Sequence, residues 1–139
     1  MAAGLKILVV DDERLSRETT AKLLEGDGYI ARPVENAEVA LKQLAEARWD
    51  VVLTDLRMPR MNGLELIREI KRCAPEVDVV LMTAYGTADA ATAAMDAGVS
   101  DLLTKPFSYR ELEWRIRRIA ANRARDREIR ELREELARR

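Results

Sequence analysis

The sequence predicts an α/β domain: a doubly wound, five-stranded parallel sheet in the order 2-1-3-4-5, extended at its C-terminus by a long helix. Three observations lead there. Short apolar runs recur five times, at Leu5–Val10, Tyr29–Val34, Val51–Thr54, Val77–Met82 and Asp101–Thr104, and runs of this length between turn signals read as strands. The segments between them carry apolar residues at helical spacing, on one face at a time. From Ser108 to Arg139 nothing breaks a helix. Strands alternating with helices need right-handed crossovers, which make a parallel sheet covered on both faces.

The elements follow in order. The first run is stopped by Asp11 and is otherwise interrupted only by Lys6, as suits a central strand; the first helix presents Leu15, Thr19, Leu23 and Leu24. The second run is the poorest in aliphatics and contains Pro33, which has no N–H for a ladder, so it belongs at an edge. Asn36 caps a helix carrying Val39, Ala40 and Leu44, and Asn62 caps one carrying Leu64, Ile67 and Ile70. The third and fourth runs are continuously apolar and central. Helix four, Thr87–Ala97, has six Ala among the ten residues from Ala88 to Ala97. Alanine favours helix but buries little area, so this helix is weakly anchored; Gly98 suits its end, and it should lie beside helix five on the sheet. Ser108-Tyr109-Arg110-Glu111 reads as a capping box opening helix five. An edge second strand with the first, third and fourth central fits the flavodoxin-like order 2-1-3-4-5, whose ligand crevice lies at the carboxyl ends of strands one and three.

Length and composition set limits. The 139 residues, 47% of them apolar, suffice for one core, and no apolar run nears the roughly 20 residues of a membrane span. Neither a span nor a signal peptide is expected. Cys73 is the one cysteine; it reads as a small buried hydrophobe, and the absence of any internal disulfide fits a reducing, cytoplasmic location. With no histidine, His-based triads, His-ligated zinc and phosphohistidine on this chain are excluded. Residues 1–109 hold 13 basic and 18 acidic side chains, residues 110–139 hold 11 and 7. The basic tail alternates Arg with Glu, as on a solvated helix with i,i+4 pairs, so direct contact with nucleic acid is not expected.

The tail is too long for its own domain. Thirty-two helical residues span about 48 Å, against roughly 30 Å for a domain of this size. The division expected is a domain at 1–121 and a helical extension at 122–139 serving as linker or dimerisation helix. Leu112, Ile116 and Ile119, then Ile129, Leu132 and Leu136, form two apolar sets ten residues apart, so no continuous heptad seam runs through them. A homodimer through helix five and its extension is expected, since exposed apolar clusters find a partner.

Polar residues stand at the ends of the central runs: Asp11-Asp12 after the first, Asp55 after the third, Thr83 after the fourth, Lys105 after the fifth. In this fold the four positions converge on one crevice. Three carboxylates there repel unless cations neutralise them. Lys105 supplies one charge, and the excess suits a hard divalent ion on oxygen ligands, Mg²⁺ in preference to Ca²⁺ because few carboxylates are offered and no calcium loop is present. A metal, a carboxylate, a hydroxyl and a lysine together can accept a phosphoryl group on the carboxylate.

Four motifs carry a resemblance. Ile7-Leu8-Val9-Val10-Asp11-Asp12-Glu13, Leu53-Thr54-Asp55-Leu56-Arg57-Met58-Pro59, Met82-Thr83-Ala84-Tyr85-Gly86 and Thr104-Lys105-Pro106-Phe107 resemble the receiver domain of bacterial two-component response regulators, over residues 4 to about 121. Asp-x-Arg-Met-Pro with Thr-Ala-Tyr-Gly is most similar to receivers of nitrogen-regulation-type transcriptional activators. The resemblance implies a phosphorylation-dependent switch, not an enzyme, that assists its own phosphorylation and dephosphorylation. A sensor histidine kinase or phosphotransfer protein would phosphorylate Asp55, and helices four and five would relay the state to a transcriptional output domain absent from this sequence.

By the same resemblance, Asp12 ligates Mg²⁺ directly, Asp11 through water, and Asp55 and the Arg57 backbone carbonyl complete the set. Thr83 and Lys105 bind phosphoryl oxygens, and Lys105–Pro106 corresponds to a cis peptide. Arg57 and Tyr85 stand where the family restricts attacking water, and Tyr85 serves either in conformational readout or as a shield over the crevice. Where receivers commonly carry Tyr or Phe, three residues before the lysine, this chain has Leu102. The alternatives are a stand-alone phosphorelay carrier, a vestigial dimerisation module, or a dehalogenase-type phosphohydrolase, which needs a second Asp where Arg57 stands.

Overall fold

The computed structural model describes residues 4–84 and 86–139. Five strands alternate with five helices: β1 (Lys6–Val10), α1 (Arg14–Gly26), β2 (Ile30–Val34), α2 (Ala37–Glu46), β3 (Val51–Asp55), α3 (Gly63–Cys73), β4 (Asp78–Thr83), α4 (Ala88–Ala97), β5 (Asp101–Thr104) and α5 (Tyr109–Ala137). The strands are parallel in the order β2-β1-β3-β4-β5. Pro33 therefore sits in an edge strand, facing Val9 of β1 on its paired side.

Strand alternation divides the core in two. Leu8, Val10, Val52, Val79 and Leu81 point to the face covered by α2, α3 and α4, where Leu66, Ile67 and Ile70 fill the centre. Ile7, Val9, Leu53, Val80 and Met82 point to the other, covered by α1 and α5 through Ala21, Leu24, Leu112, Ile116 and Ile119. Each central strand is buried on both sides, which is why its sequence reads as a continuous apolar run. The split corrects one expectation: α4 and α5 flank β5 from opposite faces and do not lie side by side.

The caps are formed as the sequence suggested, with one difference. Asn36 accepts from Val39 N–H and Thr87 from Ala90 N–H, and Gly98 ends α4 at φ 98°. The complete capping box is at α3, where Asn62 and Glu65 bond each other's backbones. At α5, Ser108 Oγ accepts from Glu111 N–H at 3.2 Å.

Two further readings are corrected. Helix α1 turns Ala21 and Leu24 inward, while Leu15 is 74% and Leu23 44% exposed. Cys73 is exposed, because α3 ends on it and Ala74, four residues after Ile70, takes the core-facing place. Helix α5 is held by Tyr29 Oη donating to Glu113 (2.7 Å), Tyr109 Oη donating to Asp27 (2.6 Å) and Arg115 donating to the Leu102 carbonyl (2.9 Å). Every residue from Ala124 to Arg139 is exposed. Among the described residues no helix is long and apolar enough to cross a membrane.

Candidate functional site

The site is assembled from the carboxyl ends of β1, β3, β4 and β5. Past β1, Asp11 N–H donates to the Val34 carbonyl at 3.2 Å, and Asp11 Oδ1 accepts from Glu13 N–H at 2.9 Å. Arg17 of α1 reaches back to the Asp11 and Asp12 carbonyls, each at 3.3 Å. These bonds fix the turn so that two adjacent acids stay over the sheet.

Asp55 ends β3. Leu56 N–H donates to the Met82 carbonyl (3.0 Å), and Gly63 N–H to the Leu56 carbonyl (2.8 Å). Helix α3 begins so close to this strand end that a Cβ on Gly63 would stand 2.4 Å from the Asp55 carbonyl oxygen and 2.9 Å from Leu56 Cα. Only glycine permits that approach. Thr83 ends β4, and its carbonyl accepts from Lys105 N–H at 2.7 Å. The Lys105–Pro106 peptide is cis, and Lys105 Nζ lies 2.6 Å from Asp55 Oδ1.

Asp11, Asp12 and Asp55 each place a carboxylate oxygen within 4.8 Å of the others. Asp11 is 1% and Asp55 8% exposed, whereas Asp12 is open to solvent. Burial pushes the Asp55 carboxyl up to about 7; Lys105 opposes the rise, and the hydrogen bond and charge of Asp11 add to it. Burial works against the Lys105 ammonium, yet Asp55, Asp11 and Glu13 outweigh it and raise its pKa. The cluster thus sets one ammonium against three carboxyl groups, and its surplus negative charge is what an oxygen-ligated divalent cation neutralises.

A cavity of about 90 Å³ lies between Asp55, Leu56, Arg57, Met82, Thr83, Ala84 and Lys105. Leu56 and Arg57 also line a groove of about 560 Å³ that includes Asp12 and Asn62. A carboxylate, a threonine and an ammonium around a small cavity form a polar setting of the kind that suits a tetrahedral oxyanion. The residues singled out in the sequence, Asp11, Asp12, Asp55, Arg57, Thr83 and Lys105, all meet here. Leu102 lies one layer back, against the core on the α4 side; Tyr85 lies outside the described residues. Sequence reasoning missed Arg17 and Gly63. A glycine inside the first turn of a helix was the available signal for the second.

A doubly wound sheet with this constellation at its carboxyl edge defines a phosphoryl-accepting switch domain. The model of the response regulator receiver domain matches residues 7–117, and the chain belongs to that family, the phosphorylation-dependent switches of two-component systems. Response regulator MprA of Mycolicibacterium vanbaalenii is 36% identical over 113 residues, covering 81% of this chain and 49% of the relative. The chain thus spans about half the length of the curated relatives it matches. NtrX from Brucella abortus superposes with a TM-score of 0.85 at 33% identity, covering 95% of this chain and 30% of that one, in accord with the nitrogen-regulation type read from the motifs. Response regulator TrrA from Thermotoga maritima, solved in complex with Mg(2+)-BeF, superposes at 0.75 with 32% identity, covering 83% of this chain and 98% of that one. As a receiver domain, the chain belongs to a family of signalling proteins.

Proposed function

We propose that Asp55 accepts the phosphoryl group, from a sensor histidine kinase, and that Asp11, Asp12, Asp55 and the backbone carbonyl of Arg57 hold Mg²⁺. The observation that carries this reading is the crowding of three carboxylates within 4.8 Å around one ammonium. Such a donor set suits a small hard cation with open water positions, and the related TrrA was itself solved with Mg(2+)-BeF. Bound there, the ion supplies charge neutralisation for the incoming oxygens. Lys105 binds one phosphoryl oxygen and the Thr83 hydroxyl another, while Asp55 Oδ attacks phosphorus and the donor's leaving group departs. The domain assists its own phosphorylation and dephosphorylation and is not otherwise an enzyme.

The state of Asp55 is relayed through α4 and α5 to control transcription. Buried on one residue, Ala94, α4 is the helix most easily displaced when Thr83 moves. Copies associate through Ile129, Leu132 and Leu136 on the exposed part of α5, which leaves residues 1–121 as the switch and 122–139 as the dimerisation helix, in the cytoplasm and without direct contact to nucleic acid. Coupling of about 1–3 kcal/mol, or 5- to 150-fold in association, is the usual range for such a switch.

Intact-mass measurement with Mg²⁺ and a small acyl phosphate tests the assignment. One phosphoryl group should appear on the native chain, and none with chelator or in Asp55→Asn. Full labelling of the asparagine variant sinks it. Sedimentation of the whole chain and of Leu132→Glu, each with and without beryllofluoride, tests the relay: the native chain should associate more when loaded, and the variant should stay monomeric in both states.

A further inference from the structure

The end of the sheet opposite the crevice holds a second charged cluster, which phosphoryl transfer does not use. Arg123 lies in α5 one turn beyond Ile119, the last buried apolar residue of that helix. Its guanidinium spans the feet of two strands. Nη2 donates to Asp50 Oδ1 at 3.0 Å, immediately before β3, and Nη1 to Asp78 Oδ2 at 2.8 Å, the first residue of β4. Nη1 also reaches the Glu76 carbonyl at 3.0 Å and that of Asp50 at 3.3 Å. The outer carboxylate oxygens are engaged too: Asp50 Oδ2 accepts from Lys6 N–H at 2.9 Å, and Asp78 Oδ1 from Ser100 Oγ at 2.8 Å.

One guanidinium and two carboxylates therefore join α5 to the starts of β1, β3 and β4 and to the turn before β5. Three of those strands carry the site at their other ends: Asp11 follows β1, Asp55 closes β3 and Thr83 closes β4. The Arg123 side chain is 19% exposed, in contrast to the open surface that follows it. Were Ile119 the last anchor, the 18 residues to Ala137 would overhang by about 27 Å; with Arg123 bound the lever shortens to 14 residues, about 21 Å. A planar, forked guanidinium gives each carboxylate its own nitrogen in a fixed geometry, whereas a lysine offers one flexible nitrogen for both.

We propose that Arg123 is a splint that fixes the axis of the α5 extension to the feet of β3 and β4. The extension then moves as one body with the sheet that carries Asp55 and Thr83 and does not swing from Ile119. This holds whatever occupies the crevice and whether or not two copies associate, so its failure is distinct from failure of the phosphoacceptor assignment.

Cys73, exposed and the only cysteine, takes one spin label at the end of α3, and Glu131→Cys on the exposed part of α5 takes the second. Distances are read by pulsed electron resonance on the full chain, diluted with unlabelled protein so that only intramolecular pairs count. The native chain should give a single narrow peak. Arg123→Met should lose that peak to a broad distribution, and Arg123→Lys should broaden less, because a single nitrogen replaces the two that separately hold Asp50 and Asp78. Asp78→Asn keeps a side-chain oxygen for Ser100 and removes one charge, so it should broaden less than the methionine variant. A narrow, unshifted peak in Arg123→Met overturns the splint. Broadening accompanied by lost helical circular dichroism overturns it also, since Arg123 would then be holding the helix together and not aiming it.

Discussion

The two ends of the sheet use the same residue types to opposite effect. At the feet of the strands, Asp50 and Asp78 lie against Arg123, a backbone N–H and a serine hydroxyl, so that every carboxylate oxygen has a donor. At the carboxyl edge, three carboxylates crowd within 4.8 Å with Lys105 as their ammonium, and Asp55 is pushed up to about 7, by burial first. One end is a joint whose hydrogen bonding is complete, although its two carboxylates share one guanidinium. The other gathers three carboxylates around one lysine, the donor set that suits the cation proposed above. Aspartate at a strand terminus says nothing by itself; its donors decide whether it is structure or site.

That contrast breaks most sharply at Gly63, where the joint-like packing intrudes on the site. A methyl group there would stand 2.4 Å from the Asp55 carbonyl and 2.8 Å from Leu81. Gly63→Ala should lose about 1–3 kcal/mol of stability by overpacking and slow phosphorylation, since the atoms that must shift carry Asp55. A urea midpoint and a phosphorylation rate check both effects. Native behaviour in both would mean that α3 yields without disturbing the strand end.

The next largest effects should have opposite signs at the two ends. Asp50→Ala strips partners from Lys6 N–H and Arg123 and should cost about 1–2 kcal/mol. Asp55→Asn, in metal-free protein, should stabilise instead. The sign follows from linkage: with its pKa raised from 3.8 to about 7, the native carboxyl binds more protons than the unfolded one between those values. The stabilisation contributed by this one carboxyl is therefore fullest below about pH 4 and is lost as pH rises through about 7. The asparagine variant lacks this loss, so its advantage should grow across that window. We expect about 1–2 kcal/mol at pH 8, less than the ~1.4 kcal/mol per unit of a sealed site because water reaches the open crevice. Unfolding curves in chelator at pH 5 and pH 8 measure it, and parallel behaviour of variant and native chain would show that Asp55 is not strained.

The sequence made the carboxyl edge readable and left the feet dark, for a physical reason. In a parallel sheet the residue after each buried run falls on the same crevice, so Asp11, Asp55, Thr83 and Lys105 could be brought together by counting along the chain. Pro33 likewise placed β2 at the edge through its missing N–H. Arg123 offered no such handle: its partners lie 73 and 45 residues away, and Asp50 and Asp78 look like ordinary acids at strand starts. Helix α1 was misphased because its apolar residues fall on two stripes; Arg17 and Ala21 face the body while Leu15 faces solvent. Cys73 was misplaced because its burial depended on where α3 stops, a boundary that spacing fixes only to within a residue or two.

The smallest expected effect on folding is the most informative about the site. Asp11 serves the fold as well as the crevice, since it is 1% exposed and holds Glu13 N–H, so replacing it confounds the two. Asp12 is exposed, and its backbone carbonyl, which any residue supplies, is what Arg17 binds. Asp12→Asn should therefore leave metal-free stability within about 0.5 kcal/mol of native. In Mg²⁺ the two should part. A ligand that binds only the folded state adds stability as the logarithm of its concentration over Kd, so the native melting temperature should climb with Mg²⁺ while that of Asp12→Asn lags by roughly tenfold or more in concentration. Superimposable Mg²⁺ titrations would remove Asp12 from the ligand set and leave the ion to Asp11, Asp55 and the Arg57 carbonyl; a variant already destabilised without metal would instead make Asp12 part of the fold, and the carboxyl edge less unlike the feet than its charges suggest.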